Sequence, residues 1–210
     1  MVQHEFDREK HVYANEAFSE LVKDALRFFH GTPVHTMPPP TRFEGSGVYA
    51  LYYTGKNDAY AELYKANRTS YDLPIYIGKA VPKGWRQAKP SIAKSNTGNE
   101  LFLRIIEHFR NLQKGDGLNP NDFNCRFTIF EDAGVDMIST VESSLIKLHR
   151  PVWNTAVDGF GNHDPGAGRY NQAKSDWDVI HPGRAFADKC KGKANLIEHV
   201  KTNIQKHFGA

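Results

Sequence analysis

Two tripeptides set a tyrosine beside or near a glycine: GVY at residues 47–49 and YIG at residues 76–78. Their phenols, Tyr49 and Tyr76, suit a buried strand, where tyrosine packs well. They could equally bring hydroxyl groups to a phosphate. Further along, LFLRIIEHFRNL places Arg104, His108 and Asn111 at i, i+4 and i+7, one stripe along the edge of a helix. Arg104 carries a planar fork of donors that matches a phosphate, and His108 titrates near neutrality. Glu142 begins the helical run STVESSLIKLH, where a carboxylate complements the positive end of the helix dipole or supplies a hard oxygen ligand for Mg²⁺. Asn154 follows in PVWN, in a position where asparagine often ends a turn. Taken singly, each has an ordinary structural account.

These residues need elements to carry them. GVYALYYTG, LPIYIGKA and NCRFTIFED read as strands, and ELFLRIIEHFRNL, ISTVESSLIKLHRP and NLIEHVKTNIQKHF as helices. DAYAELYKAN reads as a short helix capped by Asp58. Ser139 or Thr140 stands near the start of the helix bearing Glu142, and Pro151 just past its end. At the front, NEAFSELVKDALRFFHG sets Phe18, Leu21, Val22, Ala25, Leu26 and Phe29 on one helical face, with Asn15 or Ser19 as cap and Gly31 as stop. TPVHTMPPPTRF then reads as a stiff linker, because Pro38–Pro40 fits neither a helix nor a central strand. The middle order β, β, α, β, α predicts an α+β fold: a small three-stranded antiparallel sheet burying Val48, Ala50, Ile75, Ile77, Phe127 and Ile129, with helices around it. The expected divisions are an N-terminal helical arm and linker (1–44), a core (45–155) with insertions at 54–72 and 79–99, and a C-terminal loop and helix extension (156–210).

The 210 residues are 40% hydrophobic, enough for one core, and the formal charge of +3 permits a polyanionic partner. Two separated cysteines, Cys125 and Cys190, give neither a disulfide framework nor a zinc site. No apolar run is long enough to span a bilayer and the first residues are charged, so a soluble, cytoplasmic protein without membrane contact is expected.

GVY, YIG, RxxxH, a later helical Glu and then Asn, in that order, resemble the GIY-YIG nuclease superfamily, with Val48 in place of the Ile of the first tripeptide. The resemblance implies that Tyr49 and Tyr76 line the site and that Arg104 holds and polarises the scissile phosphate. It implies that Glu142 binds one divalent metal, Mg²⁺ with Mn²⁺ as substitute. It further implies that Asn154 helps to fix Glu142 or the phosphate surroundings, and that His108 bonds Tyr49 or manages its proton. The chemistry agrees: phosphodiester hydrolysis needs an activated water and charge stabilisation on the phosphoryl oxygens. With a single carboxylate ligand the base is organic, either Tyr49 passing its proton to His108 or His108 acting directly.

This sequence departs from compact relatives in its long insertions. Residues 79–99 carry Lys79, Lys83, Trp85, Arg86, Lys89 and Lys94 with no acidic residue, a composition suited to DNA phosphates and base edges. GFGNHDPGAGR lacks the GK[ST] of a P-loop and reads as a flexible surface loop or a DNA-contacting one. HPGRAFADKCKGKANL reads as a segment that could wrap the duplex or a partner subunit. No separate DNA-reading domain is evident, which makes the chain most similar to the type II restriction endonucleases of the superfamily. That similarity implies a homodimer cutting double-stranded DNA at a short, GC-rich palindrome, leaving 5′-phosphate and 3′-hydroxyl ends, with a DNA methyltransferase as genetic partner. A homing or structure-specific nuclease and a non-cleaving DNA-binding module of the same fold are the alternatives.

Overall fold

In a computed structural model, which describes residues 6–85 and 98–209, SGVYALYY forms strand β2 (Ser46–Tyr53), and each of its eight residues is buried. A strand this apolar needs a cover on both faces and a neighbour on both edges. β2 pairs antiparallel with β3 (Tyr76–Ala80) along one edge and with β4 (Phe123–Phe130) along the other. A short strand, β1 (Val34–Thr36), pairs with the far side of β4, so the sheet order is β1-β4-β2-β3. The sheet is therefore antiparallel and flanked by helices, as expected, but has four strands where three were expected. β1 lies inside the supposed linker. Three residues are too few to register an alternation, and the pairing ends at Thr36, just before the proline run that could not continue it.

Each face has its own core. Val48, Ala50, Tyr52 and Ile77 pack with Phe29 of α1 (Glu16–Gly31) and with Ile138, Val141 and Leu145 of α4 (Ile138–His149). The opposite face sets Tyr49, Leu51, Tyr53, Phe123 and Cys125 against Leu101, Ile105 and Leu112 of α3 (Glu100–Lys114). Trp153, Phe160 and Trp177, and Val200 and Ile204 of α7 (Ile197–Phe208), extend this second core. Shorter helices are α2 (Ala61–Asn67), α5 (Val152–Thr155) and α6 (Asp176–Ile180).

Several local expectations shift. Asn15 caps α1 as expected, its side chain accepting from the Ala17 N–H, but only Val22 and Phe29 of the expected face are buried, with Phe18 and Leu21 each 51% exposed. Asn57, not Asp58, accepts from the Ala59 N–H ahead of α2. α4 starts at Ile138, directly after a 3-10 segment over Asp132–Met137, with no side-chain cap from Ser139 or Thr140. Glu142 thus sits in the second turn of α4 rather than at its start, where the dipole has little hold on it. In β4, Phe127 and Ile129 are only partly buried; Phe127 stacks on Phe43, ring centroids 4.4 Å apart, instead of meeting a helix.

Candidate active site

The β2–β3 register places Tyr49 opposite Gly78. A Cβ at Gly78 would overlap the Tyr49 hydroxyl and its ring carbon, so the glycine of YIG makes the room in which that phenol lies. Gly47 serves the other edge, since a Cβ there would run into the Thr128 carbonyl of β4. Tyr49 is fully buried and its hydroxyl meets Nε2 of His108, also fully buried, at 2.5 Å. Burial drives the two titrations apart. It pushes the Tyr49 phenol well above its usual range, with the Tyr76 and Glu142 charges adding to the rise and Arg104 opposing it. It pushes the His108 imidazole well below its usual range, helped by the cations of Arg104 and Arg184. The resting pair is therefore a neutral phenol on a neutral imidazole. Nδ1 of His108 is buried without a hydrogen-bond partner among the described residues.

α3 carries His108 one turn after Arg104, as the i, i+4 spacing requires, but His108 points into the core rather than along a solvated edge. Tyr76 completes a three-ring cluster, 6.2 Å from the Tyr49 ring and 5.3 Å from His108. The Arg104 guanidinium is aimed by three partners: Glu107 Oε2 at 2.7 Å, the Gly161 carbonyl at 2.8 Å and His163 Nε2 at 2.8 Å. Glu107 Oε1 also meets His163 Nδ1 at 2.6 Å. Phe160 lies face-on to His108, centroids 4.6 Å apart and planes at 20°, and edge-on to Tyr76 at 4.9 Å. Glu107, Phe160, Gly161 and His163 were not among the sequence candidates. The GFGNHDPGAGR stretch reads as a surface loop because eight of its eleven residues are polar or glycine, yet Phe160 is fully buried. The lone aromatic between two glycines was the available signal.

Glu142 and Lys79 stand on the other face. Lys79 lies opposite Val48 in the register, and its Nζ meets Glu142 Oε2 at 2.6 Å. The Lys79 side chain remains 31% exposed and that of Glu142 17%. Glu142 still reaches the first half of the site electrostatically, since its charge raises both the Tyr49 and Tyr76 phenols. β3 is the last strand on its side of the sheet. Asn154 closes that edge: its Oδ1 accepts from the Ile77 N–H and its Nδ2 donates to the Ile77 carbonyl, both at 2.8 Å, while the Trp153 N–H donates to the Ile75 carbonyl. Asn154 thus binds the backbone of YIG itself.

Mg²⁺ typically takes one or two carboxylates and completes its shell with water and phosphate oxygens. One partly exposed carboxylate, already neutralised by a cation, fits such an ion. Among the described residues no group of three or more His, Cys, Asp or Glu could form a protein-only cage. Of the expected DNA-contacting residues, Lys79 is paired with Glu142 and Lys83 is exposed. Trp85 is half-buried against the α4 core, its Nε1 donating to Asp136 Oδ1 at 3.3 Å. Arg86, Lys89 and Lys94 lie outside the described residues.

The family model described as the Eco29kI GIY-YIG domain matches residues 41–208, most of the chain. A search of the curated proteins finds no match.

Proposed function

Since the chain belongs to the Eco29kI GIY-YIG family of restriction endonucleases, we propose that it is a type II enzyme that hydrolyses both strands of duplex DNA at a short palindrome. The observation that carries this reading is the buried Tyr49–His108 pair set beside the aimed guanidinium of Arg104.

Each residue has a task that its surroundings favour. Arg104 holds a non-bridging oxygen of the scissile phosphate and takes up charge as it develops. Tyr49 accepts a proton from the attacking water as it hands its own to Nε2 of His108 at 2.5 Å. With the proton shifts of the free protein, this transfer is uphill, because His108 resists charging. A bound phosphate dianion-like transition state supplies the negative charge that favours imidazolium, so the base is competent when substrate is in place. The bond from phosphorus to the 3′ oxygen breaks, and that oxygen is protonated from solvent, leaving 5′-phosphate and 3′-hydroxyl ends. Glu142 would hold one Mg²⁺ or Mn²⁺, which supplies charge neutralisation on the phosphoryl and leaving oxygens when bound. Asn154 keeps β3, and with it Tyr76 and Lys79, in register.

A homodimer follows from the two-fold symmetry of a palindrome, which presents two equivalent phosphates. Similarity to GIY-YIG restriction enzymes favours a GC-rich site, a cytoplasmic location and a neighbouring methyltransferase gene. The test is digestion of plasmid DNA with Mg²⁺ and with chelator. Discrete fragments in Mg²⁺ alone support the proposal. Random nicking would point to a structure-dependent nuclease, and binding without cutting to a DNA-binding module.

A further inference from the structure

A buried cation, Arg184, lies outside the strand and helix that carry the proton pair. Arg184 is 1% exposed and Asp178, its ion-pair partner, 2%. Its five N–H donors are all engaged. Nε and one Nη2 hydrogen go to the two oxygens of Asp178 at 2.6 and 2.7 Å. Nη1 donates to the Phe160 and Asn162 carbonyls at 3.1 and 3.2 Å, and Nη2 to the Gly159 carbonyl at 2.8 Å. The guanidinium plane also lies against the Trp177 ring, 4.6 Å from its centroid, and the Phe186 ring, 4.9 Å away. Asp178 is fixed in turn by the Ser175 hydroxyl at 2.7 Å.

Arg184 can reach this position because of the residue before it. Gly183 has φ +139, and a Cβ there would run into the Lys114 carbonyl at the end of α3. The Asp116 N–H donates to the Pro182 carbonyl at 2.9 Å, so the turn is docked on the same helix that bears Arg104 and His108. Within HPGRAF the side chains of His181 and Arg184 are thus buried, while Pro182, Gly183 and Ala185 stay exposed.

The three carbonyls that Arg184 gathers belong to residues 159–162. The same few residues hold both catalytic groups of α3: Gly161 accepts from Arg104, and Phe160 stacks on His108 and meets Tyr76. We infer that Arg184 is a positioning residue for the cleavage reaction, clamping the 159–162 loop so that its Gly161 carbonyl aims Arg104 and its Phe160 ring orients His108. The chemistry calls for this residue type. A planar fork can satisfy one carboxylate bidentately and still reach three carbonyls, whereas a lysine ammonium has three donors and no plane. A buried ion pair is weak evidence for stability alone; here the cation spends three of its five donors on the loop that frames the site. The inference rests on the nuclease reading above.

The test compares Arg184→Lys with wild type in single-turnover cleavage at saturating DNA, in metal-free DNA affinity and in thermal unfolding. The variant is expected to lower the cleavage rate about 10²-fold, the scale of an ångström-level misplacement of reacting groups, with affinity within twofold and the fold retained at the assay temperature. A folded variant that cleaves within threefold of wild type overturns the inference. So does one in which only DNA affinity falls. Should Arg184→Lys fail to fold, Phe160→Leu decides: it keeps apolar volume but removes the ring from His108. A tenfold or greater loss of rate, with the acid limb of the pH–rate profile moved upward as water reaches the imidazole, supports the inference; a wild-type rate and profile overturns it. Tyr49→Phe run in parallel separates the two proposals. Full activity there overturns the reaction reading itself, while an inactive Tyr49→Phe beside a fully active, folded Arg184→Lys overturns the clamp alone.

Discussion

The two halves of the site are built on opposite physical terms. On the α3 face, Tyr49 and His108 are sealed from water, neutral at rest, and locked to one another. On the α4 face, Glu142 and Lys79 are ion-paired and partly exposed. The difference follows from what each half must do. A proton pair works through its pKa values, and desolvation is the strongest lever on those. On the proposed mechanism Glu142 would exchange a lysine for a metal ion, and a carboxylate with that task has to remain within reach of solvent, because desolvating it would cost several kcal/mol. Lys79 and Val48 share one face and Tyr49 the other, so the period-two alternation of adjacent strands sorts the two halves.

That contrast can be broken from either side. The largest effect is expected from Glu142→Ala, which removes the sole carboxylate of the charged half: cleavage should fall by at least 10³-fold while metal-free DNA binding, read by gel shift, is kept. Tyr49→Phe should lower the single-turnover rate by about 10²–10⁴-fold, the usual worth of a positioned base. Because it leaves His108 Nε2 buried without a partner, it should also cost about 1–3 kcal/mol of stability, measurable by denaturant unfolding.

The sealed half also predicts a pH response. A histidine whose folded pKa lies below its unfolded value near 6.5 contributes stability that is complete above that value and is lost as pH falls toward the folded pKa. His108 is shifted this way, and burial brings His181 down to about 4, with its ring held between the Tyr60 hydroxyl and the Asp116 carbonyl. His181 alone should then cost about 2 kcal/mol between pH 7.5 and pH 5. Thermal scans across that window should show a falling Tm; a flat profile would contradict the neutral, buried reading of these rings. Activity should hold to well below pH 6.5 wherever the protein stays folded, since His108 accepts a proton only when neutral. The smallest effect is expected at the exposed Lys83: Lys83→Ala should weaken DNA binding modestly and reduce the salt slope of log K by about 0.9, one phosphate contact.

Much of this could be read from the chain. Strands with a tyrosine in each of two tripeptides, a helix with Arg and His four apart, and a later Glu and Asn are local patterns, and each element formed close to its expected bounds. What escaped was local information too weak to register. β1 is three residues long, the expected caps Ser139 and Thr140 make no capping bond to α4, and GFGN looks like solvent-facing loop. Phe160 is buried against His108, Trp153 and Trp177, and its carbonyl accepts from Arg184, 24 residues on; such contacts have no period to reveal them.

The sequence by itself determined the periodicities, and so which residues share a helix or strand face and which chemical groups the protein owns. Only the tertiary structure decided that His108 meets the core and Tyr49 rather than water, that Glu142 pairs with Lys79 on the α4 face, and that Asn154 binds the backbone of YIG. The reason is physical. Side-chain period is fixed by local backbone geometry, whereas burial, and every pKa that depends on it, is fixed by segments far apart in the chain that close over one another.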